Sequence, residues 1–417
     1  MRTEILSSER LRHLGAHEKL LHLYSRRHPR HFCVAAELVG RMEAMDFRRA
    51  FDAVQRRHPM LRVKIAEAID GSPAFHRSIL PIKVTIVPSS VGMDWKRIVE
   101  QELSIDFPAE EEPLMRANVL RDRGGATVVL TFHHAANDGT SGAIVIGDLM
   151  KALAGEALDP LPTGPSLEQA LERMLADATQ AQAIIEPLDV EAIRRIGGAP
   201  LWRPFEQDRP RVSAVTLDEA QTARLVERCR ANDTTVHGAV SAALAFSMGL
   251  TEHRQSMKIL NPVDLRPLVN LSREESGLYV GVAAIDLPCN AGSFWERARQ
   301  AFSLLNPLRS PQALLSGARR LQTYLQSDAD DDLACGLVGA IGYDAVVTNL
   351  GILRLEKTVG ALRLAAFWGP SVQGRFRNDM TIGVATCGGI LRLVQTSPPQ
   401  TSIVADDIAA YLTEACR

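Results

Sequence analysis

Residues 126–134, ATVVLTFHH, are β-branched or aromatic almost throughout, and they constrain the fold more than any other stretch. Such side chains suit a pleated backbone packed against neighbours. The turn Arg123-Gly124-Gly125 precedes the run. Successive side chains on a strand face opposite ways, so Val128, Leu130, Phe132 and His134 share one face. Thr127, Val129, Thr131 and His133 share the other. Asp138-Gly139 then turns the chain, and a helix follows with Thr140 or Ser141 as its cap. Ala143, Ile146, Met150 and Leu153 form its apolar stripe, and Gly155 stops it. His134 is therefore placed at the mouth of a strand, on an apolar face.

The remaining chain mixes helices with short and hairpin strands, so the expected fold class is α+β. Residues 46–58 read as a helix capped by Asp46, with Phe47, Ala50, Phe51 and Val54 on one face. His58-Pro59 ends it, because a residue before proline avoids the helical region. LRVKI then alternates Leu61, Val63 and Ile65 inward. A helix is expected over 95–103 and a strand over 114–120. A chain of 417 residues exceeds one small core. Prolines gather between about 155 and 212, which reads as a linker holding one helix near 166–185. The organisation expected is a first lobe over 1–160, a linker over 161–212 and a second lobe over 213–417. In the second lobe, helices are expected near 218–231, 234–249, 293–305 and 404–415, with an acidic loop over 328–332. YDAVVTNLG, ALRLAAFWG and a hairpin turning at Gly388-Gly389 supply late strands.

The formal net charge of −2 gives no global electrostatic reason to bind nucleic acid or a membrane surface. No apolar run is long enough to span a bilayer. The opening MRTEILSSERLRHLG has no leader-like apolar core, so a cytoplasmic location is expected. The six cysteines lie far apart with no CxxC pair, which reads as reduced thiols, not a disulfide framework or zinc site. GxSxG is absent, so an acyl-enzyme serine has no motif behind it.

Three readings of the histidine pair compete. Adjacent histidines on a strand point apart and no third ligand stands near, so no metal is expected. A strand-end histidine satisfied by its neighbours is the plain reading of His134. The chemical reading is a general base. A partly dry imidazole has its pKa lowered from about 6.5 by burial, and is neutral and able to accept a proton at pH 7.

HHAANDG resembles the HHxxxDG motif of the condensation-domain and chloramphenicol-acetyltransferase-like superfamily. Other pieces agree in order. CVAAELVGRMEAMDFRRAFDAVQRRHPMLRVKI resembles the family's opening strand, helix and HPxLR segment. EEPLMRANVL resembles the strand before the motif, NPVDLRPLV the central DxR segment, and VTNLG the late SNLG segment. A chain of this length with PVDLR is similar to the polyketide-associated, phthiocerol dimycocerosyl transferase-like acyltransferases, which esterify hydroxyl groups. The resemblance implies two chloramphenicol-acetyltransferase-like lobes in a V shape with a central tunnel. It also implies a crossover hairpin near 370–395.

The resemblance further assigns roles. His134 matches the general base that takes a proton from the acceptor hydroxyl. Asp138 matches the motif aspartate, whose role is structural and whose partner across the lobes would be Arg266. Gly139 reads as a backbone requirement, since a side chain there would crowd the channel or the turn. His133 faces away and reads as a packed supporting residue. Asn349 and Thr348 are candidates for a substrate or oxyanion contact, with plain turn residues as the alternative. The donor implied is acyl-CoA or an acyl carrier protein as co-substrate, with no resident cofactor. The acceptor implied is a hydroxyl of a lipid, polyketide or other natural product, and a carrier protein or polyketide synthase is the expected partner. Amide formation of the peptide-synthetase type uses the same motif, and a non-catalytic carrier-binding scaffold is a third reading.

Overall fold

Strand Gly125–His133 runs through the middle of a six-stranded sheet in the first half of the molecule. The computed structural model describes residues 9–89, 93–107, 113–176, 188–290, 292–326, 328–377 and 379–417. The central strand pairs antiparallel with His31–Val39 on one side and Met115–Arg121 on the other. Lys83–Pro88 extends the sheet in parallel beyond Met115–Arg121. Side chains divide by parity. Val128, Leu130 and Phe132 pack into a core with helices Ala44–Arg57 and Gly139–Leu153. Val129 faces the other way, against helix Trp95–Glu102 and against Val212 and Val394 of the second sheet.

The second sheet also has six strands: Val280–Pro288, Ser256–Asp264, Ala345–Ile352, Met380–Cys387, Ile390–Ser397 and Arg211–Leu217, in that spatial order. Helices Val236–Thr251, Phe294–Leu308 and Ala405–Glu414 cover it. The small residues Ala239, Ala243 and Ala245 of the first of these let it lie close on the sheet. A small three-stranded sheet, Arg10–His13, Pro73–Arg77 and Val63–Glu67, completes the first lobe. The fold is thus mixed α+β in two lobes.

Several local expectations change. The cap of Gly139–Leu153 is Asp138, not Thr140 or Ser141; its Oδ1 accepts the Ser141 amide at 2.9 Å. Aspartate caps as well as serine does, so the helix begins at Gly139, two or three residues earlier. Asp46 lies inside helix Ala44–Arg57, where its carboxylate accepts the Glu43 amide at 2.8 Å. The proline-rich connection holds helices Leu167–Ala176 and Val190–Gly197. The later part of the helix expected near 166–185 falls in 177–187, outside the described residues. The acidic stretch 328–332 is no loop: Asp330 caps helix Asp331–Ile341, accepting the Leu333 amide at 2.8 Å. Helix Pro311–Tyr324 was not expected either.

The crossover also lies elsewhere. The hairpin Met380–Cys387 and Ile390–Ser397 stays in the second sheet. The strand that joins the first sheet is Leu362–Val372, antiparallel to His31–Val39, with the short Thr358–Val359 outside it. Both segments are largely apolar, strand-forming runs, and that character does not say which sheet a strand joins. Gly383 permits the crossing: a Cβ there would lie 2.0 Å from the Pro370 carbonyl oxygen. All six cysteines are free. Among the described residues no helix is long and apolar enough to cross a membrane, and no cluster of three His, Cys, Asp or Glu could hold a metal ion.

Candidate active site

His134 follows directly on the motif strand, and the sheet fixes its backbone: its amide donates to the Arg30 carbonyl at 3.1 Å. Its Nδ1 lies 3.1 Å from the Asn137 carbonyl oxygen. A carbonyl only accepts, so Nδ1 carries the proton and Nε2 keeps its lone pair. Among the described residues no group pairs with Nε2. The ring leans on Phe32, centroids 5.0 Å apart, and is half-buried. Burial, and after it the charge of Arg30, push the imidazole down to about 4, so it is neutral at pH 7.

His133 turns to the opposite side and is buried. Its Nδ1 accepts the Ala135 amide at 3.2 Å, and Phe107 meets it edge-on at 5.9 Å. Burial holds it far below the usual histidine range. It lines neither cavity described below.

Asp138 has no exposed surface. Its Oδ1 accepts from the Ser141 amide and hydroxyl at 2.9 and 3.0 Å and from Arg266 Nη2 at 3.0 Å. Its Oδ2 accepts from Arg266 Nη1 and the Tyr279 amide, both at 2.9 Å. Burial would raise this carboxyl, but Arg266 and the amides outweigh it and hold it below the usual range. Arg266 is 3 % exposed and spends its other N–H groups on Asp264, Ser141 and the Glu275 and Gly277 carbonyls. Tyr279 lies under its guanidinium at 4.9 Å. The structure therefore brings Asp138 and Arg266 together as a bidentate pair joining the lobes.

A second inter-lobe tie, invisible in the sequence, lies beside it. Buried His58, from the HPxLR segment, places Nε2 2.9 Å from Asp148 and Nδ1 3.2 Å from the Ser276 hydroxyl of the second lobe. Arg57 holds the same carboxylate at 2.7 Å. Burial raises and these partners lower the Asp148 carboxyl, which settles below its usual range.

Two cavities meet next to His134. The inner one, about 570 Å³, is lined by His134, Arg30, Tyr343 and many aliphatic side chains. The outer one, about 680 Å³, carries Asp148, Lys151, Asp264, Arg273 and Glu274 among its walls. Gly139, Pro262, Val280 and Thr348 line both. A Cβ on Gly139 would stand 3.0 Å from Leu350 and 3.1 Å from Pro370. The requirement at Gly139 is thus space at the junction, since its φ is not in the left-handed region. Thr348 sits at the same junction, buried. Asn349 lines only the outer cavity, and its Oδ1 already accepts the Gly351 amide at 2.8 Å. Arg30 and Tyr343 escaped sequence reasoning, because neither belongs to a motif and only the folded chain sets them beside His134.

The condensation-domain family matches residues 20–173, and the phthiocerol/phthiodiolone dimycocerosyl transferase C-terminus family matches residues 206–286. The phthiocerol/phthiodiolone dimycocerosyl transferase of Mycobacterium tuberculosis (strain H37Rv) is 22% identical over 233 residues, 52% of this chain and 54% of that protein. The hybrid PKS-NRPS synthetase mpsA of Macrophomina phaseolina is 30% identical over 243 residues, 53% of this chain and 6% of that protein. The chain therefore matches about half the length of the curated transferase and a small part of the synthetase. Among solved structures, the first condensation domain of the CDA synthetase superposes with a TM-score of 0.71 at 17% identity, covering 97% of this chain and 96% of that one.

Proposed function

This chain belongs to the acyltransferase-type condensation-domain superfamily, and from that premise we propose that it moves an acyl group from a thioester to a hydroxyl. The single observation that carries the reading is the imidazole of His134, tied through Nδ1 and open at Nε2, in the wall of a cavity between two lobes.

The donor, acyl-CoA or an acyl carrier protein, reaches the junction through the polar outer cavity. The acceptor lies in the apolar inner cavity, because His134 lines that one and not the other. Nε2 takes the hydroxyl proton as the oxygen attacks the thioester carbonyl. The tetrahedral adduct collapses, the C–S bond breaks, and the thiolate recovers the proton from the imidazolium. Attack is direct, in a complex of both substrates, with no acyl-enzyme and no resident cofactor. General-base help supplies about 10²–10⁴-fold, so holding the two substrates at the junction contributes the rest. Thr348, which lines both cavities, is the donor to the carbonyl oxygen in this reading as its charge develops. Asp138 takes no proton, since every lone pair is engaged.

Acceptor hydroxyls of a lipid, polyketide or other natural product fit an apolar cavity. The likeness to the dimycocerosyl transferases favours the ester, and a polyketide synthase carrier domain is the partner class to test first. The matches to peptide-synthetase condensation domains keep amide formation as a second reading. Incubation with acyl-CoA or acyl-carrier donors and a panel of long-chain alcohols and amines separates the two, with free thiol titrated and products weighed by mass spectrometry. Ester formation that disappears in His134→Ala is the expected result. Amide products alone would move the assignment to the second reading. Equal thiol release by wild type and His134→Ala would leave a binding scaffold.

A further inference from the structure

The mechanism above leaves two arginines of the inner cavity unused, the exposed Arg320 at its wall and Arg30 beside the base. Arg30 lines that cavity beside His134, and its carbonyl holds the His134 amide, so strand pairing sets the spacing between guanidinium and base. Its side chain lies near the phenol oxygens of Tyr24 and Tyr343 and in the field of Asp379. One oxygen of that carboxylate, Oδ1, is already held by Arg203, and Oδ2 has no hydrogen-bond partner among the described residues. Arg203 holds Asp379 at 3.2 Å and Asp208 at 3.1 Å, and Arg375 holds Asp208 at 2.6 Å. Three guanidinium groups thus share two carboxylates, and one positive charge is left over. Arg30 is the member that lines the cavity, and among the described residues it closes no ion pair. The acid that does line the cavity, Asp138, is spent on Arg266.

A surplus guanidinium among aliphatic side chains such as Leu260, Val280 and Leu321 is poorly solvated, and its planar fork of donors matches a carboxylate in two-point fashion. We propose that Arg30 is the anion-recognition site of the inner cavity, and that the acceptor held there is an apolar hydroxy acid whose carboxylate pairs with Arg30. The proposal rests on the reading of His134 as base for a hydroxyl in that cavity. It specifies the substrate end-to-end: a carboxylate on Arg30, a nearby hydroxyl on Nε2, and an alkyl or polyketide chain along the aliphatic wall. It also has a consequence for the base. After burial, Arg30 is the next cause that lowers the His134 imidazole, so an anion seated on Arg30 makes the ring a better proton acceptor when the substrate is in place.

The test uses 3-hydroxytetradecanoic acid and its methyl ester, identical but for the charge. Calorimetry on the full chain without donor should show the acid binding at least about tenfold tighter than the ester, the worth of one charge-assisted pair. Arg30→Gln should bind the two alike, and Arg30→Lys should keep part of the preference. Equal binding of acid and ester by wild type overturns the proposal, and that comparison decides even if Arg30→Gln fails to fold. An acid preference that survives in folded Arg30→Gln overturns it equally. Turnover with acyl-CoA is then followed on both compounds. Selective binding of the acid without acylation of either compound leaves Arg30 as the anion site and sinks the acyl-transfer reading instead.

Discussion

His134 and Asp138 stand four residues apart on one turn, and the fold treats them in opposite ways. The imidazole has one nitrogen tied and the other facing a cavity. The carboxylate has no exposed surface and accepts five hydrogen bonds from Ser141, Arg266 and Tyr279. A polar group that the protein leaves partly unsatisfied is available to a substrate; one that it satisfies completely is a strut. The difference separates chemistry from architecture within one short motif.

The sharpest way to break the comparison is to delete each side chain and ask which assay fails. His134→Ala should lower acyl transfer by about 10²–10⁴-fold while the melting temperature stays close to wild type. Asp138→Ala should do the reverse. It leaves Arg266 buried with its main partner gone, at about 3–5 kcal/mol, read as lost soluble yield or a lower urea midpoint. Asp138→Asn combined with Arg266→Met removes both charges and should be less destabilising than Asp138→Ala alone. A soluble, normally melting but slow Asp138→Ala would erase the distinction.

Acid probes the same contrast through the buried histidines. Burial holds His22 at about 4, His31 at about 3 and His133 well below its usual value. Each is neutral when folded but binds a proton near 6.5 once unfolded. Their contribution is therefore complete above about pH 6.5 and is lost as pH falls towards 4. The three together steepen acid destabilisation by up to about 4 kcal/mol per pH unit. The carboxyls of Asp138 and Asp148, held low, are lost only below their unfolded values near 4, at the bottom of that window. Circular dichroism and transfer activity measured from pH 7 to 4 should fall together. Activity that titrates away well above pH 4 in fully folded protein would mean that a group other than His134 sets the profile.

Gly139→Ala is the mildest test. Its Cβ must push against Leu350 and Pro370, which should cost about 1–3 kcal/mol in a urea titration and narrow the passage between the cavities. An alanine variant with unchanged stability and turnover would show that the junction has slack.

Much of the site is legible in the sequence because its parts are local. Parity along residues 126–134 places His133 and His134 on different sides, and Asp138-Gly139 marks the turn. What sequence pattern cannot supply is partnership at long range. Leu362–Val372 and Met380–Cys387 are equally good strand formers, so the identity of the crossing strand depends on pairing with His31–Val39. The tie between His58 and Ser276 spans 218 positions, and the surplus charge of Arg30 emerges only when Arg203, Arg375, Asp208 and Asp379 are assembled around it. The helices Pro311–Tyr324 and Asp331–Ile341 were missed because prolines, serines and acidic residues read as loop, although Ser310 and Asp330 act as caps.

The strand Leu362–Val372 carries one more lesson, about biosynthesis. The amino-terminal half cannot finish its own sheet: the edge of His31–Val39 stays open until Leu362–Val372, made after most of the second sheet, arrives to close it. A chain emerging from the ribosome must shield that unpaired backbone while all the residues between the two strands are still being made. Splitting the gene between the lobes would accordingly yield a sticky amino-terminal fragment, not a small folded one.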